Sequence, residues 1–143
     1  VIVGKRGWLS DSTLHLFKFD SDVKNRVIIL NKCSDKEMAW LYENCAFTVY
    51  PSYYEGWGLP IAESLQYGRP CISSNTSSMP EVGGSLVEYF SPFNSGELLD
   101  KITHYLIDKE LSFAEKRIKD NYRTTAWDTT YSQINEIIER EIY

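Results

Sequence analysis

Five short apolar runs alternate with stretches of helical periodicity, and that alternation constrains the fold more than any other feature of the chain. The runs are Val1-Ile2-Val3, Val27-Ile28-Ile29-Leu30, Phe47-Thr48-Val49-Tyr50, Cys71-Ile72-Ser73-Ser74 and Leu86-Val87-Glu88-Tyr89. They lack the in–out alternation of a half-solvated strand, so each reads as a buried strand of a parallel sheet. Between them, Ser10 or Asp11 opens a helix to about Phe19, with Leu14 and Phe17 inward. Ser34-Asp35-Lys36-Glu37 is a capping box. The helix behind it repeats Met38, Leu41, Tyr42 and Cys45 at i, i+3, i+4 and i+7. Residues 60–67 form a short helix opened by Pro60 and stopped by Gly68. Ser78-Met79-Pro80-Glu81 reads as a second capping box, with Gly83-Gly84 ending that turn. Helices follow over about 95–107 and 110–121. A last helix starts near Trp127 and carries Tyr131, Ile134, Ile137, Ile138 and Ile142 on one stripe. The expected fold is α/β, a parallel sheet with helices on both faces.

The 143 residues suit a single domain, 1–143, able to bury roughly two thirds of its unfolded surface. With 43% hydrophobic and 14% aromatic residues the composition is globular and not disordered. The net charge of −5 argues against a generic basic face for nucleic acid. Cys33, Cys45 and Cys71 are far apart and form no Cys-x-x-Cys, which reads as reduced thiols and a cytoplasmic compartment. No apolar run approaches the roughly 18 residues of a membrane span. The chain enters directly on a strand without an initiator methionine, which reads as a piece of a larger protein.

The chemistry is concentrated between Tyr50 and Gly68. Tyr50 ends a strand, and ligands of open α/β sheets bind beyond the carboxyl ends of strands, so Glu55 falls on the ligand edge. Gly56 and Gly58 lack Cβ atoms and let the backbone approach a ligand. The N–H groups near Trp57, Gly58 and Leu59 precede the helix and present its positive end to a diphosphate. Glu63 is expected in the first helical turn, facing the same pocket, where a carboxylate suits bidentate hydrogen bonding to vicinal hydroxyls such as those of a ribose. A plainer reading makes Glu63 a favourable helix-start charge and Glu55 a solvated loop residue. The intervening Gly-Trp-Gly-Leu-Pro favours the ligand. Tyr53, Tyr54 and Trp57 read equally as a stacking surface for a ring and as wall and core.

This segment resembles the Glu-x7-Glu signature of retaining, nucleotide-sugar-dependent glycosyltransferases of family 4, which have the GT-B fold. The likeness covers almost the whole chain. Val1-Ile-Val-Gly-Lys-Arg-Gly-Trp8, Val27-Ile-Ile-Leu30 and Ser34-Asp-Lys-Glu37 look like the family's preceding strands and capped helix. Gly68-Arg-Pro-Cys-Ile-Ser-Ser-Asn75, Met79-Pro-Glu-Val-Gly83 and Ala126-Trp127-Asp128 look like its next strand, its Pro-Glu-Val-x-Gly turn and the opening of its final helix. The resemblance implies the Rossmann-like, C-terminal, donor-binding half of a GT-B enzyme that moves a hexose to a glycan or glycolipid hydroxyl with retention. Glu55 would be catalytic and support the transition state. Glu63 would bind the ribose hydroxyls, the backbone of Gly56, Trp57, Gly58 and Leu59 would meet the diphosphate or sugar, and Lys32 and Cys33 would lie near the base. Asn31 stands where members often carry Gly, and Trp57 where Phe is usual. The family's phosphate-clamping Arg and Lys belong to a first strand–helix unit expected before Val1, so Lys5 and Arg6 do not take that role. The implied partners are an N-terminal acceptor domain and a glycan or lipid-linked acceptor, with peripheral contact at the inner face of a membrane. No cofactor or metal is implied, and the chain alone is expected to be inactive. The alternative is a GT-B-like module that binds a nucleotide without catalysis.

Other signals are weaker. Asp20-Ser21-Asp22 could suggest a metal, but its position after an amphipathic helix reads as a polar turn. His15 and His104 fall in expected helices without ligand partners and read as structural. The signatures of P-loop, dinucleotide-binding and Ser-hydrolase sites do not occur.

Overall fold

The computed structural model describes residues 1–7 and 10–142. Trp8 lies outside them, as does the side chain of Ile142. The chain forms two compact units, Val1–Asn44 and Cys45–Tyr143.

The first unit contains β1 (Ile2–Val3), α1 (Asp11–Phe19), β2 (Ile29–Leu30) and α2 (Asp35–Asn44). β1 and β2 pair in parallel, with Ile2 opposite Ile29 and Val3 opposite Leu30. The strands fall where expected, but β1 is exposed rather than buried, as is Ile28 before β2. Two strands of two residues cannot cover both of their own faces. Asp20 ends α1 and its carboxylate accepts from the N–H groups of Asp22 and Val23, so Asp-x-Asp here is a turn device. The expected capping box forms at α2. Glu37 N–H donates to Ser34 Oγ at 3.4 Å, and Ser34 N–H donates to the Glu37 carboxylate at 2.8 Å. Of the expected stripe, Tyr42 is buried, and Met38 and Leu41 are half-buried.

The second unit holds β3 (Thr48–Tyr50), α3 (Leu59–Gln66), β4 (Cys71–Ser74), α4 (Met79–Gly83), a 3-10 turn at Gly84–Leu86, β5 (Glu88–Phe90), α5 (Ser95–Tyr105), α6 (Asp108–Asn121) and α7 (Trp127–Ile142). All three strands are parallel in the order β3-β4-β5. Helices flank the sheet, and the architecture is the expected Rossmann-like one. One parallel sheet was expected and two are present.

β4 is buried at every residue, as a central parallel strand should be. Successive side chains of a strand face opposite ways, so Cys71 and Ile72 feed two different clusters. Cys71 packs with Ile61, Leu65, Met79, Val87 and Ile118. Ile72 packs with Phe90, Tyr105 and Ala114. Full burial of side chains such as Ile61 or Met79 stabilises by about 1.5–3 kcal/mol each. Buried Ser64 shares a hydrogen bond with Thr48 Oγ1 at 2.8 Å and donates to the Arg69 carbonyl at 3.0 Å, which locks α3 against β3 and the turn into β4.

Three expectations change. α3 begins at Leu59, one residue early, so Glu63 lies just past the first turn. β5 begins two residues late because Gly84–Leu86 winds into a 3-10 turn. The second capping box does not form, because the Ser78 hydroxyl donates to carbonyls of another loop instead of accepting from its own helix. Gly68 ends α3 at φ +69°, as a left-handed stop should. On α7, Trp127, Tyr131, Ile134, Ile137 and Ile138 are exposed.

Candidate active site

β3 ends at Tyr50, and residues 51–58 loop over the carboxyl end of the sheet before α3 begins. Glu55 is half-buried on this loop. Ser52 Oγ donates to its carboxylate at 2.7 Å, and the Tyr50 hydroxyl donates to it as well. These two donors, Tyr50 first, hold the Glu55 pKa below the usual carboxylate range. Tyr50 is pushed in the opposite direction, mostly by burial and then by its bond to Glu55. The two shifts agree, since the tyrosine keeps its proton and the glutamate gives its proton up. Glu63, half-buried on α3, also acts on Tyr50 through its charge.

Loss of the Tyr50 hydroxyl should show in a pH profile. With one donor gone, the Glu55 pKa rises toward its ordinary value, so the carboxylate protonates at higher pH. In Tyr50→Phe the acidic limb of kcat/KM is expected to move up in pH. A limb that stays in place would mean that Tyr50 does not hold the ionised form.

The turn between the carboxylates presents backbone. Gly58 adopts φ +98°, ψ 51°, open to glycine at little cost, and a Cβ there would lie 3.2 Å from Ile61 Cδ1. The N–H groups of Gly56 and Gly58 find no acceptor among the described residues. They lie just ahead of the positive end of α3, an arrangement suited to an anion. Trp57 and Leu59 are exposed beside them.

Glu55, Gly56, Trp57, Gly58, Leu59 and Glu63 are thus together in the second unit. Lys32 and Cys33 belong to the first unit, in the turn leaving β2, with Lys32 exposed and Cys33 half-buried. Tyr53, Tyr54 and Trp57 are 66%, 80% and 53% exposed, which rules out the core reading for them. Tyr53 rests against Phe93 of the loop after β5, ring centroids 5.5 Å apart.

Sequence reasoning missed two groups of residues here. One is the pair Tyr50 and Ser52 that holds Glu55. The other is the run Ser73-Ser74-Asn75-Thr76-Ser77-Ser78, whose density of hydroxyls was a visible signal. Four of those hydroxyls donate to carbonyls of the loop that carries Glu55. Among the described residues no cluster of His, Cys, Asp and Glu could hold a metal ion. Nor is any described helix long and apolar enough to cross a membrane.

The family described as glycosyl transferases group 1 matches residues 1–124. The chain belongs to this family. Among similar members, an O-antigen chain mannosyltransferase B of Escherichia coli is 37% identical over 84 residues, covering 59% of this chain and 22% of that protein. An MMP α-(1→4)-mannosyltransferase of Mycolicibacterium hassiacum is 29% identical over 117 residues, covering 76% of this chain and 28% of that protein. This glycosyl transferases group 1 chain also matches the crystal structure of Anabaena HepE in complex with UDP and glucose. The TM-score is 0.71 at 21% identity, over 96% of this chain and 39% of that one. The chain therefore spans well under half the length of the relatives it matches.

Proposed function

We propose that this chain is the donor-binding part of a retaining, family 4 glycosyltransferase that moves a hexose from a nucleotide sugar to a hydroxyl of a glycan or glycolipid. The observation that carries the reading is an ionised Glu55, held by Tyr50 and Ser52, next to the open N–H groups of Gly56 and Gly58 at the start of α3. As the bond from the anomeric carbon to the diphosphate breaks, positive charge grows on the sugar and negative charge on the leaving phosphate. Glu55 opposes the first. The amide edge and the helix start oppose the second, with no reorganisation needed at the moment of reaction. Glu63, one turn into α3, takes the ribose hydroxyls, and Lys32 and Cys33 attend the base. Mannose is the first candidate sugar, since the curated relatives above are named mannosyltransferases.

The test is calorimetry of the polypeptide that carries this chain against GDP-mannose, UDP-glucose, ADP-glucose and dTDP-glucose. One nucleotide sugar should bind well above the others. No binding by any of them would overturn the reading. With the selected donor, Glu63→Ala should raise donor KM about tenfold and change kcat much less, because ribose contacts act in ground and transition states alike. A fall in kcat with KM unchanged would remove Glu63 from the ribose.

A further inference from the structure

The hydroxyl-rich segment 74–78 touches the candidate donor loop through four of its five residues. The Ser74 hydroxyl, fully buried at the end of β4, donates to the Ser52 carbonyl. Thr76 Oγ1 donates to the Tyr53 carbonyl at 2.9 Å. Ser77 Oγ donates to the Glu55 carbonyl at 2.5 Å. Ser78 Oγ reaches both the Glu55 carbonyl at 3.0 Å and the Trp57 carbonyl at 3.1 Å. Four hydroxyls thus hold four loop carbonyls.

The segment making these bonds is itself held at both ends. Asn75 N–H donates to the Phe90 carbonyl of β5 at 2.9 Å, and Met79, which opens α4, is fully buried. One residue pays for the geometry in backbone strain. Ser77 sits at φ +56°, in the left-handed region that a non-glycine residue occupies at a cost of about 1–2 kcal/mol. Such strain persists only where the surroundings determine the conformation, and it gathers where geometry matters for function.

In a trans, planar peptide the carbonyl of one residue and the N–H of the next point in opposite directions. A carbonyl drawn toward segment 74–78 therefore turns the following N–H away from it. The Glu55 carbonyl so held directs the N–H of Gly56, and the Trp57 carbonyl directs the N–H of Gly58. Neither N–H finds an acceptor among the described residues, and nor does that of Trp57 between them.

We propose that segment 74–78 is a positioning strap, in which Thr76, Ser77 and Ser78 tie back the loop carbonyls and so fix Glu55 and aim the amides of Gly56 and Gly58 at the donor. This rests on the reading of the loop as a donor site. The strap residues touch no substrate. They act through the loop, converting a flexible glycine turn into a preorganised edge.

The experiment compares Ser77→Gly, Ser78→Ala, their double variant, Ser78→Thr and Glu55→Gln in the polypeptide that carries this chain. It reads melting temperature, and kcat and donor KM with whichever of GDP-mannose or UDP-glucose binds, as release of nucleoside diphosphate. Ser77→Gly removes a hydroxyl and the strain together, so its melting temperature should hold or rise while kcat falls. A residue with a purely structural role would not behave in this way. The double variant should lose at least tenfold in kcat and bind donor more weakly, and Ser78→Thr, which keeps the hydroxyl, should retain most of the activity that Ser78→Ala loses. If Glu55→Gln is inactive while the double variant keeps kcat and donor KM within twofold of the parent, the strap is overturned and the donor loop stands. If activity falls only in step with melting temperature, the strap is likewise overturned. If Glu55→Gln retains turnover, the donor-site reading falls and the strap falls with it.

Discussion

Glu55→Ala is expected to lower kcat by about two to three orders of magnitude, the usual cost of removing one preorganised charge from a reacting centre. The carboxylate meets three conditions for that effect. It lies beyond the carboxyl end of β3 and beside the open amides of Gly56 and Gly58. It is ionised across the neutral range, because Tyr50 and Ser52 donate to its charged form. Its main chain is fixed, because Ser77 and Ser78 both hold its carbonyl. Donor KM should change little, since a group that opposes charge appearing only in the transition state adds little to ground-state binding. Steady-state kinetics with the selected nucleotide sugar would check this. Circular dichroism would confirm that the variant is folded, as expected for a half-buried loop residue outside both core clusters. A folded variant with kcat near that of the parent would remove Glu55 from the chemistry.

The sequence revealed elements better than it revealed the bonds between them. The 71–74 run announced a central strand because nothing charged interrupts it, and β4 is buried throughout. Gly68 announced the end of α3 because few other residues take φ +69°. Ser34 and Glu37 announced a cap that forms. Ser78 and Glu81 have the same spacing and form none, because Ser78 has better-placed acceptors in the Glu55 and Trp57 carbonyls. Those acceptors are 23 and 21 residues away in sequence, and no local pattern reports them. Strand edges moved for a similar reason, since the 3-10 turn at Gly84–Leu86 delays β5. At the site, the glutamate pair and the glycines were legible because glycine and carboxylate carry distinctive chemistry. Tyr50 and Ser52 were not, because a strand-end tyrosine and a loop serine look the same whether or not they hold a charge.

Gly83→Ala should cost about 2–3 kcal/mol of stability, at the upper end of what one added methyl costs in a packed interior. A Cβ on Gly83 would fall 2.5 Å from Val87 Cγ2, 2.9 Å from Val87 Cβ and 2.5 Å from Tyr89 Oη. Rotating a side chain cannot relieve the contact with Val87 Cβ, since that atom moves only with the backbone. Val87 is 5% exposed and belongs to the cluster with Met79, so it has no room to retreat. α4 itself must then shift, and α4 is only five residues long. It carries Met79 at one end and follows directly from Ser78, so a shift that relieves Gly83 loosens the hold on the Glu55 and Trp57 carbonyls. Gly56→Ala is the contrast, with an ordinary φ and no atom within 4 Å of the added Cβ, and it should leave stability within about 0.5 kcal/mol. Urea unfolding of both variants would separate the cases. Equal midpoints would show that α4 does not pack on Val87 and Tyr89 as described. If Gly83→Ala alone is destabilised, donor affinity should weaken with it, because the helix that seats the core also seats the donor loop.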